Sequence, residues 1–243
     1  MGAEDRRGLA RDLAATLRTR NVYLGSERVA SQLRFALTGP GEAPAAGASA
    51  SREELWQSLK DEALQCRKCR LCETRRTVVF GEGSPTADLM FIGEAPGRDE
   101  DEQGRPFVGR AGKLLTQMIE AMGLRRSDVF IANVLKCRPP DNRDPAPDEV
   151  ESCRPYLERQ IELIDPKVVC ALGRHAVRSL VDVSQGITKI RGRKLVLPGG
   201  RTLLPTYHPA YLLRNPAAKR EVWEDLKTIL GILGLPVPER RSR

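Results

Sequence analysis

The sequence predicts an α/β domain in which a parallel sheet is covered by helices on both faces. Three observations carry that expectation. Four short apolar runs, residues 89–92, 129–134, 168–172 and 202–205, are continuous instead of alternating, as strands buried on both faces are. Helical patterns separate them, so each return to the sheet is a crossover. The chain has 243 residues, enough to bury a full core as one domain with extensions.

Taken in order, residues 1–37 are Arg-rich with Leu9, Leu13, Leu17 and then Val29, Leu33, Leu37 at helical spacing, which predicts a helical N-terminal extension. Residues 38–51, TGPGEAPAAGASAS, read as a flexible linker. The domain proper then spans 52–235. Its first strand runs into a glycine-rich loop, 93–112, and a helix over 113–122 places Leu114, Leu115, Met118, Ile119 and Met122 on one face. The second strand ends at Asn133. A helix over 147–164 opens with Pro147, suited to a first turn, and carries Pro155 where a kink is expected. Cys170 lies within the third strand as a core residue, and His175 opens a structural helix. The fourth strand leads to a helix over 215–233, and 236–243 form a basic, disordered tail.

Forty Lys and Arg against 32 Asp and Glu give a net charge of +8 and a pI near 9.4. That excess favours polyanions, nucleic acid first. Aromatic residues make up 5% of the chain, which argues against a broad stacking platform for single strands. The opening MGAEDRRGLARDL lacks the apolar core of a signal peptide, and no run approaches the roughly 18 apolar residues of a membrane span. A cytoplasmic protein with no membrane partner is the expectation, and there clustered cysteines serve as metal sites or reactive thiols more than disulfides. Cys66 and Cys69 form a Cys-x-x-Cys bite, with Cys137 and Cys153 far downstream and Cys72 extending the first cluster. Spacing alone leaves open which four of the six cysteines are ligands. Three close thiols favour iron–sulfur over zinc. A zinc-ribbon binder, or an electron carrier using Cys66, Cys69 and Cys72, is the alternative class.

Ligands of parallel sheets bind beyond the carboxyl ends of the strands. Here those ends carry the GEAPGRDEDEQGRPFVGRAG loop with Phe107, Asn133 followed by KCRPPDNRDP, and His208 in HPAYLLRNP. A close-approach loop, an aromatic face, an amide and an imidazole suit a single planar base. No G-x-S-x-G elbow, Walker pattern or dinucleotide fingerprint is present.

These segments, over roughly residues 55–231, resemble the iron–sulfur uracil-DNA glycosylases, family 4 of that superfamily. The resemblance implies a three-layer α/β/α sandwich around a four-stranded parallel sheet. It implies a [4Fe–4S] cluster on Cys66, Cys69, Cys137 and Cys153, leaving Cys72 out, and uracil-containing DNA, single- or double-stranded, as the partner of a monomer. Gly93, Glu94, Ala95, Phe107 and Asn133 would form the uracil pocket. His208 would hydrogen-bond the departing base, with Glu100 and Asn142 positioning the attacking water, since Ala95 stands where better-known relatives carry an Asp. Tyr211, Leu212, Leu213 and Arg214 would engage DNA. A covalently binding relative carries a Gln in the first motif and a His in the loop before the last strand. Ala95 and the His-free ITKIRGRK at 187–194 set this chain apart from it.

Overall fold

Residues 50–239 are described in the structure, a computed structural model. The expected helical extension, the linker up to residue 49 and the last four residues of the tail lie outside them. Helix α1 (Arg52–Leu64) opens with a capping box: Ser51 Oγ accepts from the Glu54 N–H at 3.2 Å, and Glu54 accepts from the Ser51 N–H at 2.7 Å. A 3-10 turn (Arg70–Glu73) and the two-residue strand β1 (Glu82–Gly83) follow. Strand β2 (Leu89–Gly93) leads through α2 (Arg98–Gln103) and α3 (Arg110–Ala121) to β3 (Phe130–Asn133). Helix α4 (Pro147–Ile164) crosses to β4 (Val168–Leu172). Then come α5 (Arg174–Leu180), α6 (Ile187–Ile190), β5 (Leu195–Val196), β6 (Thr202–Thr206), α7 (Pro209–Arg214) and α8 (Lys219–Leu233).

The sheet order is β1-β3-β2-β4-β6-β5. Its centre is the expected parallel quartet, and β1 and β5 add antiparallel edges that raise the sheet to six strands. Successive strand residues point to opposite faces. Leu89, Phe91, Ile131, Val168, Cys170 and Leu204 meet α3, α7 and α8 in one core. Met90, Ile92, Phe130, Ala132, Val169 and Leu203 meet α4 and α5 in another. The continuous apolar runs are thus shared between two helical layers, giving the three-layer sandwich. Helix α4 continues through Pro155, which lies on the exposed side, where water can meet the carbonyl it leaves unpaired.

The chain leaves β2 for β3 on one side and, after α4, returns to β4 on the other. The carboxyl end of β2, Gly93, therefore sits at a topological switch point, where a crevice opens between diverging connections. A third, smaller core of Leu59, Ala63, Leu71, Phe80, Leu135 and Tyr156 joins α1 to α4 and contains Cys137 and Cys153. No helix of the described residues is long and apolar enough to cross a membrane.

Candidate active site and thiol cage

A cleft of about 810 Å³ opens at the switch point, with Glu94, Phe107, Asn133, Asn142, His175 and His208 in its walls. Its floor is tightly constrained. A Cβ on Gly93 would lie 2.4 Å from both Asn133 Oδ1 and Phe107 Cζ, so only glycine lets the ring and the amide converge. Phe107 adopts φ 52°, unusual for an aromatic residue. Arg126 holds it there, donating to the Phe107 carbonyl at 3.3 Å and the Pro106 carbonyl at 2.9 Å. Gly112 gives it room, since a Cβ there would fall 1.9 Å from the Phe107 carbonyl carbon. The ring lies 5.7 Å from the His208 ring and also packs into the first core.

Asn133 is 1% exposed, and its Oδ1 is buried with no hydrogen-bond partner. An unpaired buried acceptor costs about 1–3 kcal/mol, so its place at the head of a cleft points to a ligand donor. The backbone beside it is zipped to the glycine-rich loop: Val134 N–H donates to Gly93 O and Leu135 N–H to Glu94 O, both at 3.0 Å. His208 caps α7, its Nδ1 accepting from the Ala210 N–H at 3.1 Å. Burial pushes its pKa down to about 4, with Arg214 adding repulsion. The imidazole is therefore neutral near pH 7 and, with Nδ1 accepting, carries its proton on Nε2.

Glu100, expected to position water, has its carboxylate already engaged. Oε1 accepts from the Val108 and Gly109 N–H groups at 2.9 Å each, and Oε2 from the Gly97 N–H at 3.1 Å. It ties both ends of the loop that presents Phe107. Asn142 lines the cleft at φ 53°, its Oδ1 taken by Arg138 Nε at 2.8 Å, which leaves the amide NH₂ to meet a ligand. Glu94 also brings a side chain to the cleft wall, and its carboxylate accepts no hydrogen bond from any described residue. Burial raises its pKa, against the opposing pull of His175. Glu94, Asp144 and His175 bring ligand atoms within 4.8 Å of one another. His175 does start α5, but its ring faces the cleft, which a lone His after a strand did not reveal.

Of the residues expected to engage DNA, Tyr211 and Leu213 are exposed and Arg214 lines the cleft. Leu212 is a correction. It is 1% exposed and packs in the first core, because the phase of α7 turns it inward between its two neighbours.

Cys66, Cys69, Cys137 and Cys153 surround a small cavity with Tyr156, and Cys72 stands outside its walls. All are free thiols. A single tetrahedral zinc with bonds of about 2.3 Å would draw its thiolates to roughly 3.8 Å of one another. Among the described residues no three of these thiols lie within 4.8 Å of each other. Tyr156 Oη is buried beside them without a hydrogen-bond partner, a donor that sulfur could satisfy. Burial raises the Cys69 and Cys137 thiols and pushes Cys153 up to about 11, so they ionise only where a cationic centre compensates. Arg75 donates to Cys137 Sγ at 3.1 Å and the Lys136 N–H to Cys153 Sγ at 3.3 Å. Buried Glu149 fastens the cage from outside, accepting from Arg70 at 3.0 Å, from Arg143 at 2.5 and 2.9 Å, and from the Ala146 N–H at 2.9 Å. The residue set fits an iron–sulfur cluster.

A sandwich with an open cleft at its switch point and a thiol quartet beside it defines a class, and similarity to known proteins names it. The uracil DNA glycosylase superfamily model matches residues 80–227, and the chain belongs to that superfamily. Within it the chain is similar to the Type-4 uracil-DNA glycosylase of Sulfurisphaera tokodaii, 50% identical over 181 residues, which cover 71% of this chain and 82% of that protein. The Type-4 enzyme of Thermotoga maritima is 47% identical over 180 residues, 73% of this chain and 94% of that protein. That of Saccharolobus solfataricus is 48% identical over 179 residues, 70% and 83%.

Proposed function

We propose that this protein is a DNA-repair hydrolase that cleaves the N-glycosidic bond of uracil in DNA and leaves an abasic site. The observation that carries the reading is the buried, unpaired Oδ1 of Asn133 facing the Phe107 ring and His208. Uracil offers an N3–H donor to that oxygen, and its O4 accepts from the amide NH₂ of Asn133. Cytosine reverses both edges, with an acceptor at N3 and a donor at N4, and is rejected. Phe107 stacks on the flipped ring over Gly93, with the backbone of Glu94 and Ala95 completing the pocket.

As the glycosidic bond lengthens, charge flows onto the base, and the neutral His208 donates its Nε2–H to O2. A preorganised donor of this kind stabilises the departing anion without a proton having to move first. Asn142 and the free carboxylate of Glu94 hold the attacking water, while Glu100 acts by fixing the loop. An oxocarbenium-like path needs little activation of water, so Ala95 in place of an Asp does not prevent turnover. Tyr211, Leu213 and Arg214 meet the strand and fill the gap left by the extruded nucleotide.

Cys66, Cys69, Cys137 and Cys153 would hold a [4Fe–4S] cluster. When bound, it supplies a cross-link between the α1 side and α4, with the reaction left to the cleft.

The direct test is release of free uracil from a uracil-containing oligonucleotide, with alkali-labile cleavage at the same position. An intact oligonucleotide after incubation with iron-loaded protein would reject the proposal. Cytosine at that position should give no product.

A further inference from the structure

Lys136 is 2% exposed, among the most buried large side chains in the protein. A buried ammonium is costly unless it is paired and hydrogen-bonded. Among the described residues Lys136 makes no ion pair with a carboxylate. Its Nζ instead donates to the carbonyl of Asn133 at 2.8 Å and to Gln160 Oε1 at 2.6 Å. Gln160, itself fully buried on α4, uses its amide NH₂ to hold the Phe80 carbonyl at 2.9 Å. The same lysine's backbone N–H donates to Cys153 Sγ at 3.3 Å, its carbonyl accepts from Val79 N–H at 2.7 Å, and Cys137 is the next residue. Base-reading strand end and thiol cage therefore meet in one residue.

We propose that Lys136 is a positioning residue for uracil recognition: it fastens the exit of β3 to the thiol cage, so that the cage sets the pose of Asn133. The ammonium fixes the Asn133 carbonyl, and the next two N–H groups are zipped to Gly93 and Glu94, so one anchor governs both walls of the base pocket. With a cluster bound, the thiolates supply the negative charge that the lysine otherwise lacks. This explains why a cation is buried there without a carboxylate. Gln160 holds the far side of the ammonium and keeps the anchor rigid.

The inference rests on the uracil reading above, and the experiment separates the two. Lys136→Met is purified alongside the wild type, and three quantities are measured: iron per protein with absorbance near 400 nm, inhibition by free uracil, and KM and kcat on uracil-containing DNA. Iron is expected to stay at the wild-type ratio, the uracil inhibition constant to rise about tenfold or more, and kcat to fall. KM for DNA should change little, because phosphate contacts are untouched. Inhibition constants do not depend on the active fraction, so a variant that is merely less stable would leave them unchanged. An iron-loaded variant with wild-type uracil inhibition overturns the proposal. If Lys136→Met is recovered without iron, Gln160→Met decides in the same way, since it leaves the contacts of Lys136 with the cage intact. Loss of iron there as well overturns it, because the pair would then serve the cage alone. A wild type that neither releases uracil nor is inhibited by it sinks the functional reading instead.

Discussion

Asn133 Oδ1 stands buried and unpaired at the head of the cleft, whereas the buried carboxylate of Glu149, beside the thiol cage, accepts from Arg70, Arg143 and Ala146. The two sites share β3 and its exit, yet the cleft leaves the Asn133 oxygen open where the cage closes its buried carboxylate. In the cleft, even the charged residue at the loop base is arranged so that recognition groups stay free. Glu100 spends its oxygens on Gly97, Val108 and Gly109, and the result is a Phe107 ring held close against Gly93 and the Asn133 amide. Around the cage, cations and N–H groups are aimed at sulfur or at the carboxylate that ties Arg70, next to Cys69, to the start of α4. The cleft holds its binding cost in reserve for a ligand. The cage spends its polar groups on holding segments together.

That contrast is broken most sharply at His208. Replacing it with Ala should lower kcat by about a hundredfold or more, the usual loss when one donor to a developing anion is removed. Iron content should stay at the wild-type value and the melting temperature fall only slightly, because the one hydrogen bond lost is the cap to the Ala210 N–H. If iron were lost with the activity, cleft and cage would not be separate devices.

How much of this was legible in the sequence depends on the range of the interactions. The four central strands were readable because strands buried on both faces need apolar residues at every position, as Leu-Met-Phe-Ile at 89–92 shows. Gly93, Asn133 and His208 followed from standing at strand ends. The edge strands Glu82–Gly83 and Leu195–Val196 were not readable, since two residues carry no period. Helix α1 buries only Leu59 and Ala63, too sparse a stripe to announce itself. Leu212 and Leu213 are equivalent as letters, and only the phase of α7 decides which one faces the core. Glu100 is held by backbone N–H groups eight and nine residues away, and Lys136 by an α4 residue 24 positions on. Such partners are set by tertiary placement, which local pattern does not encode.

On the cage side, Glu149→Gln is the sharper test. Its side chain is fully buried while Arg70 and Arg143 are 60% and 37% exposed, so solvent screens part of each attraction. Removing the charge should cost about 2 kcal/mol of stability and loosen iron retention, with uracil inhibition of the loaded fraction unchanged. The arginines and the Ala146 N–H hold the carboxyl pKa down at about 2, below the ordinary 4.5. The stabilisation is therefore complete above pH 4.5 and is lost as pH falls toward 2. A urea midpoint equal to wild type at pH 7 would show that Glu149 does not brace the cage.

The smallest expected effect is in the pH profile, and it bears on the chemistry directly. His208 titrates at about 4 in the folded protein, because burial and Arg214 oppose its charge, against about 6.5 for an ordinary imidazole. Between those values the unfolded chain holds a proton that the folded one does not. The contribution of the neutral ring to stability is thus full above about pH 6.5 and declines as pH falls toward 4. For catalysis the consequence is flatness: kcat should vary little between pH 6 and 8, since the donor on Nε2 is present throughout. Activity that falls as pH rises through 6.5, in a limb abolished by His208→Gln, would mean that the imidazolium is the working form. It would also mean that the cleft stabilises charge by pairing ions and not by a preorganised neutral donor, and the contrast with the cage would then lie in geometry alone.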